Sequence, residues 1–358
     1  MQETQEKAQK IALSIPEIAA KYSINPVEVC SNPAMPVQWG AGNGLVNTFI
    51  NVRESSATLS SCINNMHNYI LGDAIEISTD IATMQKQVNR RGTTMRGFLS
   101  QIVDDYLTTG NFAFQIIYNK LFQVAELIPL DVCKCRLNGY QDKVLYNNKG
   151  WGRYSSKYET YERFGYGDGN ALTCIYFYNG DNRRYVYNRP MWFSALIDVL
   201  TEIECSKYSL NTVGSGFSAK YCLNLPNAGN LTDEQKTEIE NGIQKKFTGT
   251  ETTSNFMIYY PDSKDNVLTV AKIESDDAPE KYIAIKNNCR ENIFCAFRSN
   301  PILMGKYEGT GFSTEEYKNA FAIFQKTVIS PIQDIFLEVL KQVFKKDEPI
   351  HIIPFSIA

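Results

Sequence analysis

Apolar residues recur at helical spacing in several long stretches of this chain. In the clearest one, Thr94 to Thr108, they lie three and four residues apart along one face, and Gly110 follows as a stop signal. Ala57 to Ile70 has the same spacing, ends at Gly72-Asp73, and Ala74 to Ile77 then starts a strand. The pattern predicts two amphipathic helices, each with one face buried in the core.

The segment after the helix predicted at Thr94 to Thr108 alternates apolar and polar residues as strands do. Asn111–Tyr118 and Leu121–Ile128 flank a short polar turn, so they predict a hairpin. Pro129 is expected to end the second strand, and Val132–Leu137 is expected to form another. Residues 138–190 are rich in Tyr, Asn and Gly with little period, which indicates further short strands joined by turns.

Three longer helical patterns lie in the second half of the chain. One runs from Ala195 to Ser215, and another runs from Ala278 to Phe297, after two acidic residues that suit a helix start. Residues 218–273 between them predict a strand, a helix and two strands. A third helix is expected from Ser313-Thr-Glu-Glu316, a capping box, with a kink at Pro331. The apolar positions of the first two are Leu196, Val199, Leu200, Ile203 and Leu210, and Tyr282, Ile285, Cys289, Ile293 and Ala296.

The first fifty residues show little periodicity. They contain several prolines and a Gly-rich tract from Trp39 to Gly44. We expect an N-terminal arm with one short helix, Gln5 to Leu13. Such an arm either crosses to a neighbouring subunit or stays a loose terminus.

Composition is that of an ordinary soluble protein with a packed core. Apolar residues make up 43% and charged residues 21%, and the net charge is −3. This near-neutral balance argues against a dedicated duplex-binding protein with a basic face. The polar segment Met1 to Lys10 does not predict a signal peptide, and no apolar run is long enough to span a bilayer.

Residues capable of chemistry are few and lack the spacing of known sites. The nine cysteines favour free, mostly buried thiols. Cys133 and Cys135 would share one face of a strand, but no second pair lies at zinc spacing. His67 and His351 lack motif context, and Asp104-Asp105 is interpreted as part of a solvated helix face. We expect no catalytic, cofactor-binding or metal-binding residues.

One ordered set of motifs extends over about forty residues before Pro331. It comprises Arg290-Glu-Asn-Ile-Phe-Cys-Ala-Phe-Arg298, Asn300-Pro301-Ile-Leu-Met-Gly305, Ser313-Thr-Glu-Glu316 and Ile329-Ser-Pro331. This order resembles the HK97-type portal proteins of tailed bacteriophages. That family has a helix ending in Phe-Arg, Pro-Pro-x-Leu-x-Gly, a short loop, Ser/Thr-x-x-Glu and a long helix with a proline. Asn300 stands where the family has the first proline. Gly110-Asn111 and Leu127-Ile128-Pro129-Leu130 resemble the family's outward "wing" lobe.

The resemblance covers about residues 55–344 and implies an α+β portal-like fold. It implies an α/β wing lobe, two long stem helices flanking a small βαββ clip, a long kinked C-terminal helix, and little or no crown. The implied boundaries are an N-terminal arm at 1–50, the wing at 51–190, the first stem helix at 191–217, the clip at 218–277, the second stem helix at 278–298, a tunnel loop at 299–312, and the long helix with a terminal strand at 313–358.

The resemblance also implies a function. Portal proteins are structural subunits, not enzymes, that form rings, usually of twelve, at one capsid vertex. Double-stranded DNA is packaged and ejected through the ring, which contacts it weakly and without sequence preference. The implied partners are other copies of the chain, the terminase motor, and capsid and head–tail adaptor proteins, with no membrane and no cofactor. The implied location is the virion, after assembly in the bacterial host cytoplasm.

A channel that lets duplex DNA slide should bind it weakly, because affinity grows with each neutralised phosphate. Basic residues would therefore be concentrated on the channel wall of an otherwise near-neutral ring. The candidates are Lys281, Lys286 and Arg290 on the polar face of the second stem helix, and Lys306, Tyr307 and Thr310 in the tunnel loop.

Two other functions remain open from the residues alone. One is a carboxylate-dependent hydrolase acting on polysaccharide, with Glu162 and Asp168 as the pair, which would need carboxyl groups about 5–10 Å apart. Asp168 is flanked by glycines, as turn residues often are. The other is an adaptor protein that binds partners without forming a ring.

Overall fold

The computed structural model describes most of the chain from residue 28 onward. The described segments are 28–84, 86–152, 157–167, 171–180, 184–214, 221–224, 256–259, 278–304 and 314–355, with the single residues Thr232, Glu234 and Thr237. The chain divides into two compact units. The first contains Met1–Val199 and Glu291–Ala358, and the second contains Leu200–Arg290.

The described elements confirm an α+β fold with both helices and short strands. The helices are α1 (Leu45–Ser55), α2 (Ala57–Leu71), α3 (Met95–Thr109), α4 (Leu196–Gly214), α5 (Ala278–Ala296), α6 (Thr314–Phe324) and α7 (Ser330–Phe344). The strands are β1 (Ala74–Ile77), β2 (Phe112–Tyr118), β3 (Val124–Leu130), β4 (Cys135–Leu137), β5 (Lys143–Tyr146), β6 (Glu159–Glu162), β7 (Thr173–Tyr178), β8 (Tyr221–Asn224), β9 (Phe256–Tyr259) and β10 (Ile350–Ile353). None of the described helices is long and apolar enough to cross a bilayer.

The two predicted amphipathic helices are confirmed as α2 and α3, each capped at its N-terminus by a hydroxyl side chain. Ser56 Oγ accepts the Leu59 N–H at 3.1 Å, and Thr94 Oγ1 accepts the Gly97 N–H at 3.1 Å. Gly110 ends α3 in the left-handed conformation that glycine adopts readily. The buried face of α2 consists of Leu59, Cys62, Ile63, Met66 and Ile70, as predicted.

The main sheet of the first unit has the order β3-β2-β7 and is antiparallel throughout. Aromatic rings of β2 and β7 stack across strands, with ring centroids of Phe112 and Tyr178 4.9 Å apart and those of Phe114 and Tyr176 5.2 Å apart. Phe336 of α7 packs on Phe112 at 5.1 Å. This aromatic layer joins the sheet to the C-terminal helix and forms part of the core.

The expectation that Pro129 ends the second hairpin strand is wrong. Pro129 lies inside β3, opposite Phe114 of β2. Proline lacks the N–H that a central strand needs, but β3 is at the edge of the three-stranded sheet. The strand therefore continues through Leu130.

The expected strand Val132–Leu137 begins later than predicted. Residues Val132–Lys134 form a 3-10 turn, in which Asp131 Oδ1 accepts the Cys133 N–H at 3.0 Å, and only Cys135–Leu137 is a strand. Cys133 and Cys135 are therefore not two positions of one strand. The local Asx hydrogen bond competes with strand geometry, which explains the difference. The cysteines in the described segments are free, and most are buried.

Residues 28–50 are packed into the first unit, which corrects the expected arm over this range. The Glu28 carboxylate accepts the N–H groups of Val186 and Tyr187 at 2.6 and 2.9 Å, and Trp39 stacks on the Tyr187 ring at 4.4 Å. Helix α1 crosses the expected boundary at residue 50. The part before α1 is held by single anchoring side chains, which leave no periodic signal. Residues 1–27, including the expected helix Gln5 to Leu13, lie outside the described residues.

The C-terminal helix is interrupted next to Pro331, as predicted. Gln325–Ile329 has π-helical hydrogen bonding between α6 and α7, and Pro331 lies at the start of α7. The wider π-helical turn just before Pro331 accommodates the missing N–H and the ring of this proline. After α7, β10 returns to pair antiparallel with β1, Ala74 facing Ile353.

Helices α4 and α5 confirm the two long helices, but their apolar stripes are only partly buried. Leu196, Val199, Leu200 and Ile203 of α4 are buried, whereas Leu210 is 71% exposed. On α5, Cys289 and Ile293 are buried, whereas Ile285 is 42% exposed. The apolar positions named from the sequence are therefore buried over only part of each helix. In α5 the buried phenylalanines, Phe294 and Phe297, lie at and just beyond its C-terminal end.

In the second unit, β8 and β9 pair in parallel, Tyr221 facing Phe256. A parallel pair requires a crossover connection, which fits the predicted insert. The helix expected after Thr232 and the strand expected from Val267 to Ile273 lie outside the described residues, apart from the single positions named above.

Candidate functional site

The candidate DNA-channel residues on α5 lie in the second unit. Lys286 is half-buried and its Nζ donates to the Ser206 Oγ of α4 at 3.2 Å. Arg290 is also half-buried. Lys281 belongs to α5, but its side chain lies outside the described part of the structure. Lys306, Tyr307 and Thr310 all fall within 305–313, which is outside the described residues.

One interaction between α4 and α5 was not predicted from the sequence. The rings of Tyr208 and Tyr282 stack with centroids 4.5 Å apart. Together with the hydrogen bond from Lys286 to Ser206, it brings these two helices side by side within the second unit. The apolar stripes alone did not identify Tyr208, because it lies outside the spacing of the buried positions.

A polar groove lies in the first unit between α2, α3 and the end of β3. It consists of two adjoining cavities of about 450 and 460 Å³ that share Asn64, Asp104, Asp105 and Asp131. The interpretation of Asp104-Asp105 as a solvated helix face is right only for Asp104, whose side chain is 42% exposed. Asp104 receives two hydrogen bonds from the Arg53 guanidinium of α1, at 2.6 and 2.7 Å.

Asp105 differs from its neighbour because its carboxyl group is enclosed. Its Oδ2 accepts the Val132 N–H at 3.2 Å. Burial raises the pKa of Asp105 well above its usual range, and the nearby charges of Asp131 and Asp104 add to the rise, against the Val132 hydrogen bond and Arg53. A helical period places such a residue on a face but cannot show that a distant loop covers it.

The groove also contains a serine and a histidine in contact. His67 Nε2 lies 3.0 Å from Ser100 Oγ and 3.1 Å from the Ser100 backbone oxygen. An activated serine requires a ring nitrogen that is free to accept its proton. The backbone oxygen can only accept, so its contact favours the tautomer with the proton on Nε2, which cannot act as that base. Among the described residues, no carboxylate hydrogen-bonds the His67 ring. This arrangement does not support nucleophilic catalysis.

Arg136 of β4 is a buried charge that no pattern in the sequence indicates. It is 1% exposed, and its Nε donates to Asn43 Oδ1 at 2.8 Å. Its guanidinium lies 5.4 Å from the Trp39 ring and 5.5 Å from the Trp151 ring. Burial lowers the pKa of Arg136. These contacts tie the Gly-rich loop before α1 to a small antiparallel sheet of order β4-β5-β6, which is a structural role.

The residues proposed for a hydrolase do not form a described pair. Glu162 of β6 lies 3.8 Å from the Lys143 Nζ of β5, an ion pair across the small sheet. Asp168 lies outside the described residues. In the segments that the structure describes, no group of three His, Cys, Asp or Glu side chains is placed to hold a metal ion.

Comparison with known proteins identifies the fold. The family model described as "Phage portal protein" matches residues 70–352. A chain in the structure titled "Virion of native gene transfer agent (GTA) particle" is 12% identical, with a TM-score of 0.55, covering 94% of this chain and 88% of that one. A chain in "Neck of native GTA particle computed with C12 symmetry" is 12% identical, with a TM-score of 0.54 and the same coverage. An HK97 family phage portal protein from Corynebacterium diphtheriae is 9% identical, with a TM-score of 0.50, covering 85% of this chain and 93% of that one. At these identities the solved structures show a shared fold.

Proposed function

Since this chain belongs to the phage portal protein family and is a subunit of a capsid portal, we propose that it forms a closed homomeric ring through which double-stranded DNA enters and leaves the particle. The observation that carries the proposal is the family match over residues 70–352. The chain of similar fold in a neck computed with C12 symmetry supports twelve copies in the ring.

The ring has a structural role and no enzymatic activity of its own in this proposal. The energy for packaging comes from a separate terminase motor docked on the clip at 218–277, and capsid and head–tail adaptor proteins hold the ring at its vertex. Assembly takes place in the bacterial host cytoplasm, and the final location is the virion. The Ser100–His67 contact supports the absence of acyl-transfer chemistry, since the contact with the backbone oxygen favours a proton on Nε2.

DNA passes the ring without sequence preference in this proposal. The net charge of −3 keeps most of the ring surface unattractive to a polyanion, so the contacts depend on a few basic side chains. The basic candidates are Lys281, Lys286 and Arg290 on α5 and Lys306 in the tunnel loop, where Tyr307 and Thr310 are neutral candidates. For Lys286, the hydrogen bond to Ser206 fixes the ammonium group at the surface of the helix pair.

Electron microscopy of the purified full chain, with native mass spectrometry at several concentrations, tests the ring. We expect closed rings with a central hole and a mass of twelve subunits. A second test supplies the chain to particles that lack their own portal and measures nuclease-protected DNA. A protein that stays monomeric at high concentration and does not restore DNA packaging would contradict the proposal.

A further inference from the structure

A basic turn lies immediately before α3 and is held by the buried side chain of Asn89. The Asn89 Oδ1 accepts the N–H groups of Arg91 and Thr93, at 3.0 and 3.3 Å. The Asn89 Nδ2 donates to the Leu127 oxygen of β3 at 3.0 Å. Gly92 completes the turn with a φ of 79°. The backbone of the turn is therefore fixed against the edge strand of the main sheet.

The two arginines of this turn extend into solvent. The Arg90 Nε lies 2.8 Å from Glu126 Oε1, although the Arg90 side chain is 92% exposed. Arg91 is also exposed, and within the part of the chain that the structure describes no carboxylate pairs with its guanidinium. Arginine is enriched at protein–protein interfaces, where its planar fork binds carboxylates. The turn thus presents one guanidinium that is available to another protein surface.

Carboxylates outnumber cationic groups in the part of the polar groove next to α1. Glu54 is exposed, and the Asp131 side chain is 47% exposed. Arg53 is the one arginine or lysine among the described residues that line the groove, and its guanidinium is bound by Asp104. Asp131 has the Lys134 Nζ only at 3.8 Å. The carboxylates of Glu54 and Asp131 are therefore accessible to a further cationic group.

The basic turn and these carboxylates lie toward opposite ends of α3. The turn precedes Thr94, whereas the cavity that contains Glu54 and Asp131 touches α3 from Asp104 to Thr109. Ten residues of helix separate Thr94 from Asp104, which is about 15 Å at the rise of an α-helix. An arginine side chain is shorter than that. Arg91 therefore does not fill the groove of its own subunit.

We infer that Arg91 of one subunit binds the Glu54 and Asp131 carboxylates of the next copy of this chain. The inference rests on the proposed ring. In a ring each subunit uses two different surfaces, one for each neighbour, and a basic turn and an acidic groove on one chain meet that requirement. The cavity of about 460 Å³ admits a single side chain. A guanidinium can donate two parallel hydrogen bonds to a carboxylate, which fixes the orientation of the neighbour.

Charge reversal on each side of the contact tests the inference. Arg91→Glu and Glu54→Arg each place like charges together, so each should raise the protein concentration for half-assembly of rings by about tenfold. The double variant restores opposite charges and should assemble within about twofold of the wild type. Glu54 lies in the last turn of α1, where a basic residue suits the helix dipole, so Glu54→Arg should fold normally.

Lys149→Glu is the matched control, because Lys149 is an exposed basic residue in a turn of the same design. The Asn147 Oδ1 accepts the Lys149 N–H at 3.0 Å, and Gly150 follows with a φ of 81°. This variant changes the charge as Arg91→Glu does and should assemble like the wild type. Native mass spectrometry over a range of concentrations measures assembly, and melting temperatures show that each variant is folded.

Asp131→Asn is a second variant on the groove side that keeps the local turn. Its amide oxygen can still accept the Cys133 N–H, so only the charge is lost. It should weaken ring assembly in the wild-type background and improve the assembly of Arg91→Glu, because it removes a like charge from that variant.

Two results would overturn the inference. One is a double variant, Arg91→Glu with Glu54→Arg, that assembles no better than either single variant. The other is single variants that assemble like the wild type. In both cases wild-type rings would still form, so the proposed portal ring would stand. A wild-type protein that forms no rings contradicts the portal proposal, and the contact between copies fails with it.

Discussion

Arg53 of α1 and Asp104 of α3 form a two-pronged ion pair that joins helices far apart in the chain. Nη1 lies 2.7 Å from Oδ2, and Nη2 lies 2.6 Å from Oδ1. Nη1 also donates to the Thr108 hydroxyl. The planar fork of arginine matches a carboxylate, so the pair fixes the two helices in register as well as attracting them.

Arg53→Lys should lower the stability of the protein, because an ammonium group cannot make both parallel bonds. The Asp104 side chain is 42% exposed and Arg53 19%, so solvent screens the pair and we expect a loss of about 1 kcal/mol. Chemical denaturation measures it. Arg90→Lys is the control, because the Arg90 side chain is 92% exposed in its pair with Glu126 and should change stability by less. Equal losses in both variants would contradict the importance of the two-pronged geometry.

Asp105→Asn should stabilise the protein at neutral pH. A carboxyl group whose folded pKa is raised contributes stability that is present at low pH and lost as pH rises through that pKa. The amide oxygen can still accept the Val132 N–H, and the variant carries no charge to bury. Its advantage over wild type should therefore shrink toward zero as pH falls to about 4 and below.

Melting temperatures across pH 3 to 8 test this prediction. Asp104→Asn is the neighbouring control, and it should lower stability at neutral pH because it breaks the Arg53 pair. If Asp105→Asn is less stable than wild type at pH 7, or if the difference does not change with pH, the assignment of a buried carboxyl group is wrong.

Gly72→Ala should destabilise the protein strongly. Gly72 has a φ of 60°, and a Cβ there would lie 2.1 Å from the Ile353 backbone oxygen of β10. The clash falls where β10 returns to pair with β1, so the C-terminal strand must move. Gly92→Ala is a matched control, with a φ of 79° and nothing within 4 Å of its Cβ. We expect about 1 kcal/mol for Gly92→Ala from the unfavourable φ and several times that for Gly72→Ala.

Urea denaturation of the two glycine variants measures the difference. Similar losses for both would mean that the pairing of β10 with β1 adjusts easily or is absent in solution. Removal of protection from hydrogen exchange at residues 74–77 in Gly72→Ala would locate the effect in that strand pair.

Lys286→Gln should reduce packaged DNA without preventing ring assembly, if α5 faces the channel as proposed. The glutamine side chain is uncharged and one bond shorter, and the stacking of Tyr208 on Tyr282 still holds α4 against α5. Lys207→Gln is the control in the same helix pair, since Lys207 forms an ion pair with Glu204 at 3.1 Å. Ring mass and nuclease-protected DNA are measured for both. If both variants change the amount of nuclease-protected DNA equally, the placement of Lys286 in the channel is contradicted.

Local signals in the sequence predicted most helices well. Ser56 and Thr94 are hydroxyl caps that precede apolar periods, and Gly72 and Gly110 follow them, so the starts and ends of α2 and α3 depend on neighbours in sequence. The order of motifs before Pro331 indicated the portal family, because each motif is short and local. The channel residues on α5 and in the loop remain predictions.

Contacts between distant residues could not be predicted in the same way. Asp105 was assigned to a solvated face because helical periodicity describes one helix and not the loop at Val132 that covers it. Glu28 and Trp39 anchor residues 28–50 through single side chains, without a period. Tyr208 and Tyr282 meet through the pairing of two helices.

The helices, the hairpin and the family could be predicted from the amino-acid sequence, because periodicity, caps and short motifs act over a few residues. The place of Pro129 within a strand depends on how the sheet assembles, since an edge position has no neighbour that needs its N–H. The pairing of β10 with Ala74–Ile77 depends on tertiary packing in the same way. Many short apolar segments can form the same backbone hydrogen bonds, and packing selects one of them.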